Sequence, residues 1–207
     1  MRTLKYLLKI SLALAWCNQG VASTNFDKAI EAAQNKDYVT AFNIWQAEAN
    51  NKSDSSSQFN LALLYQFGLG VVKDIDKAVF WYTEAANAGD SKAQTNLGHL
   101  FYEGGVVTRD IPRAMKLFEL AARQGNVSAQ YNLSRAYLAG IGVKPDFVKG
   151  FVWLSMAAKS SVGKEAEQVE KGLVDLSGML TPVQLSISKL LAVSCWDSGF
   201  KACEPDD

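Results

Sequence analysis

The sequence predicts an all-α fold, an α/α solenoid of stacked helical hairpins. It contains an internal repeat, and residues that begin and end helices recur at the same positions of each repeat. Windows that start at Gln58, Gln94 and Gln130 align without a gap at a constant offset of 36 residues. A repeat of this length is typical of chains in which one helical hairpin stacks on the next. Eight positions are identical in all three windows: the glutamines themselves, Asn60/Asn96/Asn132, Leu61/Leu97/Leu133, Gly68/Gly104/Gly140, Val71/Val107/Val143, Asp74/Asp110/Asp146, Ala85/Ala121/Ala157 and Ala86/Ala122/Ala158.

Each window is predicted to begin with an amphipathic helix. Apolar residues recur at positions i, i+3 and i+4, as at Leu61, Leu64 and Tyr65, and form one stripe along the helix. A glycine can adopt the left-handed conformation that closes a helix. The first helices are therefore expected to end at Gly68, Gly104 and Gly140.

A second helix completes each predicted hairpin. It begins at an aspartate whose carboxylate accepts hydrogen bonds from the first turn, namely Asp74, Asp110 or Asp146. Small alanines on its packing face allow neighbouring helices to approach closely. In the first window this face is predicted to consist of Ala78, Trp81, Tyr82, Ala85 and Ala86.

The run NLALLYQFGLGVVKDIDKAVFWYTEAANAG resembles the Sel1-like repeat (SLR), a subclass of the tetratricopeptide-repeat superfamily with two extra residues in the turn between its helices. The resemblance implies an SLR/TPR-like superhelix. It extends weakly to residues 37–49, which with the helix predicted at 26–35 complete an N-terminal hairpin. Three departures affect local geometry. Val106 replaces the second turn glycine, and in the third repeat Gly150 stands where the first repeat has Ala78 and Ser161 where it has Gly89.

Six segments are expected. The polar run NNKSDSSS at 50–57 is predicted to connect the N-terminal hairpin to the repeats, with the composition of a mobile loop. After residue 160 the period is lost, and helices at 164–179 and 183–196 are predicted to cap the last repeat. The segments are a signal peptide (1–23), the N-terminal hairpin and connector (24–57), repeats at 58–93, 94–129 and 130–162, and the C-terminal cap (163–207).

The first 23 residues have the pattern of a secretory signal peptide, in which three basic residues precede a short apolar run and a small-residue end. We therefore expect cleavage after Ala22 or Ser23 and a periplasmic or secreted protein without a transmembrane anchor. The alternative, a lipoprotein acylated at Cys17, is disfavoured because bulky Trp16 occupies a position that needs a small residue. Removing three of the 21 basic residues leaves 18 against 21 acidic residues, a net charge of −3 that disfavours nucleic acid as a partner.

Cys195 and Cys203 remain after cleavage of the signal peptide. In an oxidising compartment a disulfide between them is expected, and closing so short a loop stabilises the fold by about 2.6 kcal/mol. The alternative is a pair of free or redox-active thiols, although the spacing is not that of a Cys-x-x-Cys motif.

Catalytic and cofactor motifs are weak. His99 is the only histidine, so a multi-histidine metal site is excluded, and we expect no cofactor. The pattern Ser-x-x-Lys occurs at Ser161, Ser186 and Ser198, which invites a β-lactamase-like interpretation because some cysteine-rich relatives carry that description. The composition alone produces about one such match by chance, and the repeats lack the cysteine pair that marks those relatives.

The more informative candidates are first-helix residues outside the apolar stripe. The resemblance places them on the concave face of the solenoid, where an asparagine at the same position of each repeat could bind the backbone of an extended peptide or could instead tie neighbouring helices together. Aromatic residues and arginine dominate interface energies, although Phe59 and Phe67 have the alternative of packing against neighbouring hairpins. The candidate residues are Phe59, Asn60, Leu63, Gln66, Phe67, Thr95, Asn96, His99, Tyr102, Glu103, Tyr131, Asn132, Arg135 and Leu138.

These observations predict a non-enzymatic scaffold or regulator that binds a partner protein or peptide. The resemblance implies a bacterial envelope setting, with a partner in the envelope or on a host cell. The alternatives are a binder of cell-wall carbohydrate such as peptidoglycan and a β-lactamase-like or cell-wall enzyme. A site, and not the fold, has to decide between them.

Overall fold

The structure is a computed structural model that describes residues 24–50 and 54–203. The predicted signal peptide, its cleavage site and Cys17 lie outside the described residues. The described part is helical and contains ten α-helices. They are α1 Asn25–Gln34, α2 Tyr38–Ala49, α3 Ser55–Phe67, α4 Ile75–Asn87, α5 Ser91–Glu103, α6 Ile111–Ala122, α7 Val127–Ala139, α8 Phe147–Ser160, α9 Lys164–Met179 and α10 Pro182–Asp197.

The helices pack as successive hairpins, which confirms the predicted all-α solenoid architecture. They fall into an N-terminal unit, which extends to Ala88 and contains α1 to α4, and a C-terminal unit, which begins at Gly89 and contains α5 to α10. Within each unit the most extensive contacts run between helices adjacent in sequence, apart from those of α10, which packs against α8. Within the described residues, no helix combines the length and the apolar character needed to cross a bilayer.

Side-chain caps set the helix starts where the sequence predicts them. The carboxylates of Asp74, Asp110 and Asp146 each accept a hydrogen bond from a first-turn amide, at donor–acceptor distances of 2.9–3.0 Å. Thr181 forms a capping box with Gln184 at the start of α10. These bonds satisfy amides that have no partner inside the helix.

The polar connector is shorter than predicted. The prediction extended it through Ser57, but α3 begins at Ser55, because the Asp54 carboxylate accepts a hydrogen bond of 3.0 Å from the Ser57 amide. The serines thus form the first turn of a helix, where serine is well tolerated next to an aspartate cap.

Glycines end the first helices, and the backbone angles of the terminal glycine differ in the second repeat, where Val106 replaces the second turn glycine. Gly68 and Gly140 adopt the left-handed helical conformation, at φ 69° and ψ 39° and at φ 66° and ψ 34°. Gly104 combines φ 68° with ψ −153°, and Gly105 also has a positive φ. The turn of the second repeat therefore follows a different path, and Val106 in this turn is 55% exposed.

The repeated glutamine and a repeated cation connect the elements of the solenoid. The Gln58 side chain donates to the Ala49 carbonyl at 3.2 Å, and Gln130 donates to the Ala122 carbonyl at 3.1 Å. Each glutamine thereby satisfies a carbonyl at the end of the preceding second helix, since such carbonyls lack intrahelical partners.

Within each hairpin a cation lies over an aromatic ring: Lys77 over Tyr65 at 5.2 Å, Arg113 over Phe101 at 4.2 Å and Lys149 over Tyr137 at 5.8 Å.

The buried alanines confirm most of the predicted packing face of the second helix. Ala78, Tyr82, Ala85 and Ala86 are buried in the first repeat. Trp81 is only half-buried and contacts the exposed ring of Phe80, so it lies at the edge of this face.

The C-terminal cap consists of two helices and a short hook. Helices α9 and α10 both pack against α8, around a core that includes Phe151, Leu154 and Val169. The hook, residues 198–203, folds back onto α10 through the predicted disulfide between Cys195 and Cys203, both fully buried.

The hook also reaches the turn after α6. The Arg123 guanidinium donates to the carbonyl of Lys201 at 3.4 Å, and the Phe200 ring packs against Trp196 at 5.6 Å. Lys159 of α8 lies 4.0 Å from the Trp196 ring centre on the same part of the cap. The disulfide therefore closes a segment that connects the cap to the second repeat.

Candidate functional site

In the N-terminal unit, the candidate residues of α3 lie beside a buried tyrosine of α4. Gln66 accepts a hydrogen bond of 2.6 Å from the hydroxyl of Tyr82, and the Phe59 ring lies 5.9 Å from the Tyr82 ring. Phe59 thus packs against the second helix of its own repeat. Phe67 is 38% exposed at the end of α3. The remaining candidates, Asn60 and Leu63, are half-buried.

In the C-terminal unit, the structure brings the first helices of two repeats together. The side-chain amide of Asn132 on α7 lies 3.0 Å from Nε2 of His99 on α5, as a hydrogen-bonded pair. This contact places candidate residues from both helices next to each other. It also favours the helix-tying role for the asparagine at this position. Asn96, the equivalent of Asn132 in the preceding repeat, is half-buried.

An aromatic ring from α6 lies beneath this pair. Phe118 is 1% exposed, with its ring centre 5.2 Å from that of His99 and 6.2 Å from that of Tyr102. Gly98 allows this close packing, because a Cβ there would lie 2.8 Å from the Phe118 ring. The half-buried side chains of His99 and Tyr102 thus pack against the buried ring of Phe118.

Charged and aromatic side chains lie near His99 and the Phe118 ring. Glu103 and Arg135 are exposed, and Tyr102 is half-buried. The Arg135 guanidinium lies 6.0 Å from the ring centre of Tyr131, one turn earlier on α7. We call this set, His99, Tyr102, Glu103, Asn132 and Arg135, the α5/α7 face. It offers one positive charge, one negative charge and a partly exposed phenol, which suit hydrogen bonds and ion pairs with a polypeptide.

Three other candidates have structural roles. Thr95 is 5% exposed and its hydroxyl donates to the Ser91 carbonyl at 2.7 Å, so its predicted place on a binding surface is not supported. A threonine in a helix readily makes this bond to the preceding turn. Tyr131 and Leu138 are half-buried and pack against the core of the C-terminal cap. Leu138 also fills the space left by Gly150, since a Cβ on that glycine would lie 2.8 Å from the leucine.

The environment of His99 favours its neutral form. Burial lowers the pKa of His99 below its ordinary value of 6.5, Arg135 acts in the same direction, and Glu103 opposes them. A neutral imidazole can accept the Asn132 amide proton at Nε2, whereas an imidazolium has no acceptor nitrogen. The pair therefore fits a histidine without charge.

We expect the free energy of unfolding to decrease as the pH falls below about 6.5, because the unfolded chain then binds a proton that the folded chain binds less well. Above that pH both states carry a neutral histidine, and the effect vanishes. Urea unfolding at about pH 7.5 and about pH 5.5 measures it, since histidine is the side chain that ordinarily titrates in this window. His99→Gln is expected to show a weaker pH dependence; a dependence equal to that of the wild type would contradict the expectation.

Two of the three serines in the Ser-x-x-Lys patterns, Ser161 and Ser198, form hydrogen bonds with nearby backbone groups. The Ser161 hydroxyl donates to the Ala158 carbonyl at 3.2 Å. The Ser198 hydroxyl donates to the Cys195 carbonyl at 2.9 Å and accepts from the Ala202 amide at 2.9 Å. Ser186 and Lys189 are exposed on α10. The hydroxyls of Ser161 and Ser198 thus make local helix-end contacts, as is common for serine.

Sequence reasoning missed the residues that support the α5/α7 face. Phe118 has a signal in the sequence, since it lies 36 residues after the buried Tyr82 and holds the same place under the first helix. The repeated cations Lys77, Arg113 and Lys149 also recur at the offset of 36, each 12 residues after an aromatic residue. The pairing of His99 with Asn132 has no such signal, because it joins two unequal positions of neighbouring repeats.

Comparison with known proteins agrees with this architecture. The chain matches the Sel1 repeat family over residues 55–90, 91–126 and 127–162, a frame that starts three residues before each repeated glutamine. No curated protein matches it. A solved Sel1 repeat protein from Oxalobacter formigenes is 26% identical with a TM-score of 0.67, covering 73% of this chain and 59% of its own.

A second solved structure shares the fold. It is a protective antigen present in uropathogenic Escherichia coli strains that displays an SLR fold. It is 22% identical with a TM-score of 0.50, and the match covers 88% of this chain and 48% of the antigen. The present chain thus spans about half to three-fifths of the length of these two proteins. With three family repeats on three successive helical hairpins, the chain belongs to the Sel1 repeat family, in the tetratricopeptide-like superfamily.

Proposed function

We propose that this protein is an exported scaffold of the bacterial envelope that binds a partner protein or peptide through the α5/α7 face. Sel1 repeats support a role in protein interaction. The observation that carries the choice of surface is the contact between His99 and Asn132, which joins the first helices of two repeats above Phe118. A surface that is already ordered loses little conformational entropy when a partner binds.

The residues around this contact suit a polypeptide partner. Arg135 and Glu103 are exposed with opposite charges, so they can pair with an acidic and a basic group of the partner. Tyr102 supplies a ring that the Phe118 contact partly immobilises. Tyrosine and arginine are enriched among the residues that contribute most to protein interfaces.

Export is the second part of the proposal. The first 23 residues have the signal-peptide pattern, and the disulfide between Cys195 and Cys203 suits an oxidising compartment. The periplasm or the cell exterior is the compartment we propose. Fractionation of cells that express the full-length chain, together with the mass of the mature protein, tests this part independently of partner binding.

Replacing Arg135 by glutamate or Tyr102 by alanine is expected to weaken partner binding at least tenfold, because the first reverses an exposed charge and the second removes an aromatic contact. The partner is first captured by cross-linking in intact cells that express the full-length wild-type chain, identified by mass spectrometry, purified and titrated against each variant. Lys116→Glu is the matched control, since Lys116 is an exposed cation on the second helix α6.

The outcomes separate the candidate functions. Equal affinity of the wild type and both variants for the captured partner would contradict the proposed surface. Sedimentation of the purified protein with isolated peptidoglycan would favour the carbohydrate alternative instead. Hydrolysis of a β-lactam by the wild type that is lost in Ser161→Ala or Ser186→Ala would favour the enzyme.

A further inference from the structure

The contact between Asn132 and His99 involves two nitrogen atoms, which defines the role of each. Nδ2 of Asn132 lies 3.0 Å from Nε2 of His99. An amide nitrogen donates hydrogen bonds and does not accept them, so Nε2 of the imidazole has to be the acceptor. A ring nitrogen that accepts carries no proton. The contact therefore requires a neutral His99 whose single ring proton is on Nδ1.

The same contact leaves the oxygen of the amide available. Oδ1 of Asn132 accepts no hydrogen bond from the residues that the structure describes, and the side chain is half-buried. Oδ1 is also not one of the buried polar atoms without a partner in this part of the chain. An N–H group from outside can therefore donate to it. One amide thus serves both predicted roles of this asparagine, because its nitrogen ties two helices together and its oxygen can bind a peptide.

Protonation of His99 reverses this arrangement. When Nε2 takes up a proton from water, the imidazolium has an N–H group on each ring nitrogen and no acceptor. The Nε2–H group and the amide N–H groups of Asn132 then repel each other. A flip of the amide, which exchanges its oxygen and its nitrogen, removes the conflict, because Oδ1 can accept from Nε2–H. The open side of the amide then carries a donor in place of an acceptor.

We propose that His99 determines which end of the Asn132 amide the α5/α7 face offers to its partner. With a neutral imidazole, the face offers an acceptor that suits a backbone N–H group of an extended polypeptide segment. With an imidazolium, the face offers a donor and gains a positive charge, so that this hydrogen bond to the partner is lost. The inference rests on the proposed function, since it concerns regulation of the same surface.

The groups around His99 place this change at acidic pH. Burial lowers the pKa of His99 below 6.5. Arg135 of α7 lowers this pKa further, whereas Glu103 of α5 raises it. From α6 the uncharged ring of Phe118 lies against the imidazole, and the phenol of Tyr102 lies on the same ring. Binding is therefore expected to be strongest at neutral pH and to weaken below pH 6.5.

Nuclear magnetic resonance of the unbound protein tests the pairing. His99 is the only histidine of the chain, so the imidazole signals of the isotope-labelled, tag-free protein belong to it. At about pH 7.5 a long-range proton–nitrogen correlation spectrum is expected to show a proton on Nδ1 and none on Nε2. The side-chain amide signals of Asn132 are expected to shift with the same midpoint as the imidazole. A proton on Nε2 at this pH, or an amide that does not follow the titration, would overturn the inference.

Affinity at two pH values tests the consequence for binding. The partner that cross-linking captures is titrated with the wild type at about pH 7.5 and at a pH below the imidazole midpoint. The wild type is expected to bind about fivefold less tightly at the lower pH, because one hydrogen bond is lost. His99→Gln cannot titrate at this position, so any pH dependence that it retains belongs to the partner or to other groups. Asn132→Asp has a second oxygen for the partner in both states of His99, so it is expected to match His99→Gln.

The outcomes separate this inference from the proposed function. A wild type with the same pH dependence as His99→Gln, combined with weakened binding by Arg135→Glu, would overturn the inference and keep the α5/α7 face as the binding surface. A pH dependence that Asn132→Asp retains in full would also overturn it. Equal affinity of the wild type and Arg135→Glu would contradict the proposed surface and the inference together. Circular dichroism at both pH values checks that each variant keeps its helix content.

Discussion

Replacing Gly70 by alanine is expected to destabilise the N-terminal unit by about 2–5 kcal/mol. Gly70 has φ +69°, a conformation that costs other residues about 1–2 kcal/mol. A Cβ at this position would also overlap the carbonyl of Tyr38 and lie 2.7 Å from the Val39 amide nitrogen. Both groups belong to backbone at the start of α2, so α2 itself has to move, and forced overpacking of this kind adds about 1–3 kcal/mol.

Gly89→Ala separates the two causes. Gly89 also has a positive φ, +91°, but a Cβ there would have no heavy atom within 4 Å beyond its two chain neighbours. This variant is expected to lose only the conformational part, about 1–2 kcal/mol. Urea unfolding followed by circular dichroism compares both variants with the wild type. Equal losses for the two glycines would show that the contact with α2 does not limit substitution at Gly70.

Removing the disulfide by the double change Cys195→Ala and Cys203→Ala is expected to cost about 2.6 kcal/mol of the free energy of unfolding. The bond closes a loop with a sequence separation of 8 and holds the hook against α10. Without the disulfide the unfolded chain gains conformational freedom. In the folded chain the hook is held less firmly, which weakens the hydrogen bond from Arg123 to the Lys201 carbonyl. Urea unfolding of both proteins measures the difference.

A reducing agent provides the control for this prediction. It is expected to lower the stability of the wild type to that of the double variant, and to leave the double variant unchanged, since no disulfide remains there within the described residues. A wild type whose unfolding midpoint does not move on complete reduction would contradict the prediction.

Local signals in the sequence predicted much of the fold. The caps at Asp74, Asp110 and Asp146 and the glycine helix ends each depend on hydrogen bonds within a few residues. The predicted extent of the polar connector was wrong. The reason is again a local hydrogen bond, because Asp54 caps α3 and so starts the helix at Ser55. The disulfide was predictable because the two cysteines are close in sequence.

The candidate surface was less predictable. The repeat register placed His99, Tyr102 and Arg135 on the first helices, but it treated every repeat alike. The structure shows that the repeats differ: Gln66 is bonded to Tyr82, Thr95 is bonded to its own helix, and Asn132 meets His99. These differences arise because a different side chain faces the first helix in each repeat. In two of the three cases the bonded residues are 16 and 33 positions apart in sequence.

The amino-acid sequence by itself determined the repeat period, the helical hairpins, the helix ends and the family, because hydrogen bonds and apolar periodicity within about one repeat control them. Only the tertiary structure decided which first-helix side chains are exposed, which carry structural contacts, and that one apolar side of α10 is exposed in the described part of the chain. The physical reason is that exposure depends on what packs against a residue from elsewhere in the chain. A stripe at helical spacing looks the same in sequence whether it is buried or exposed.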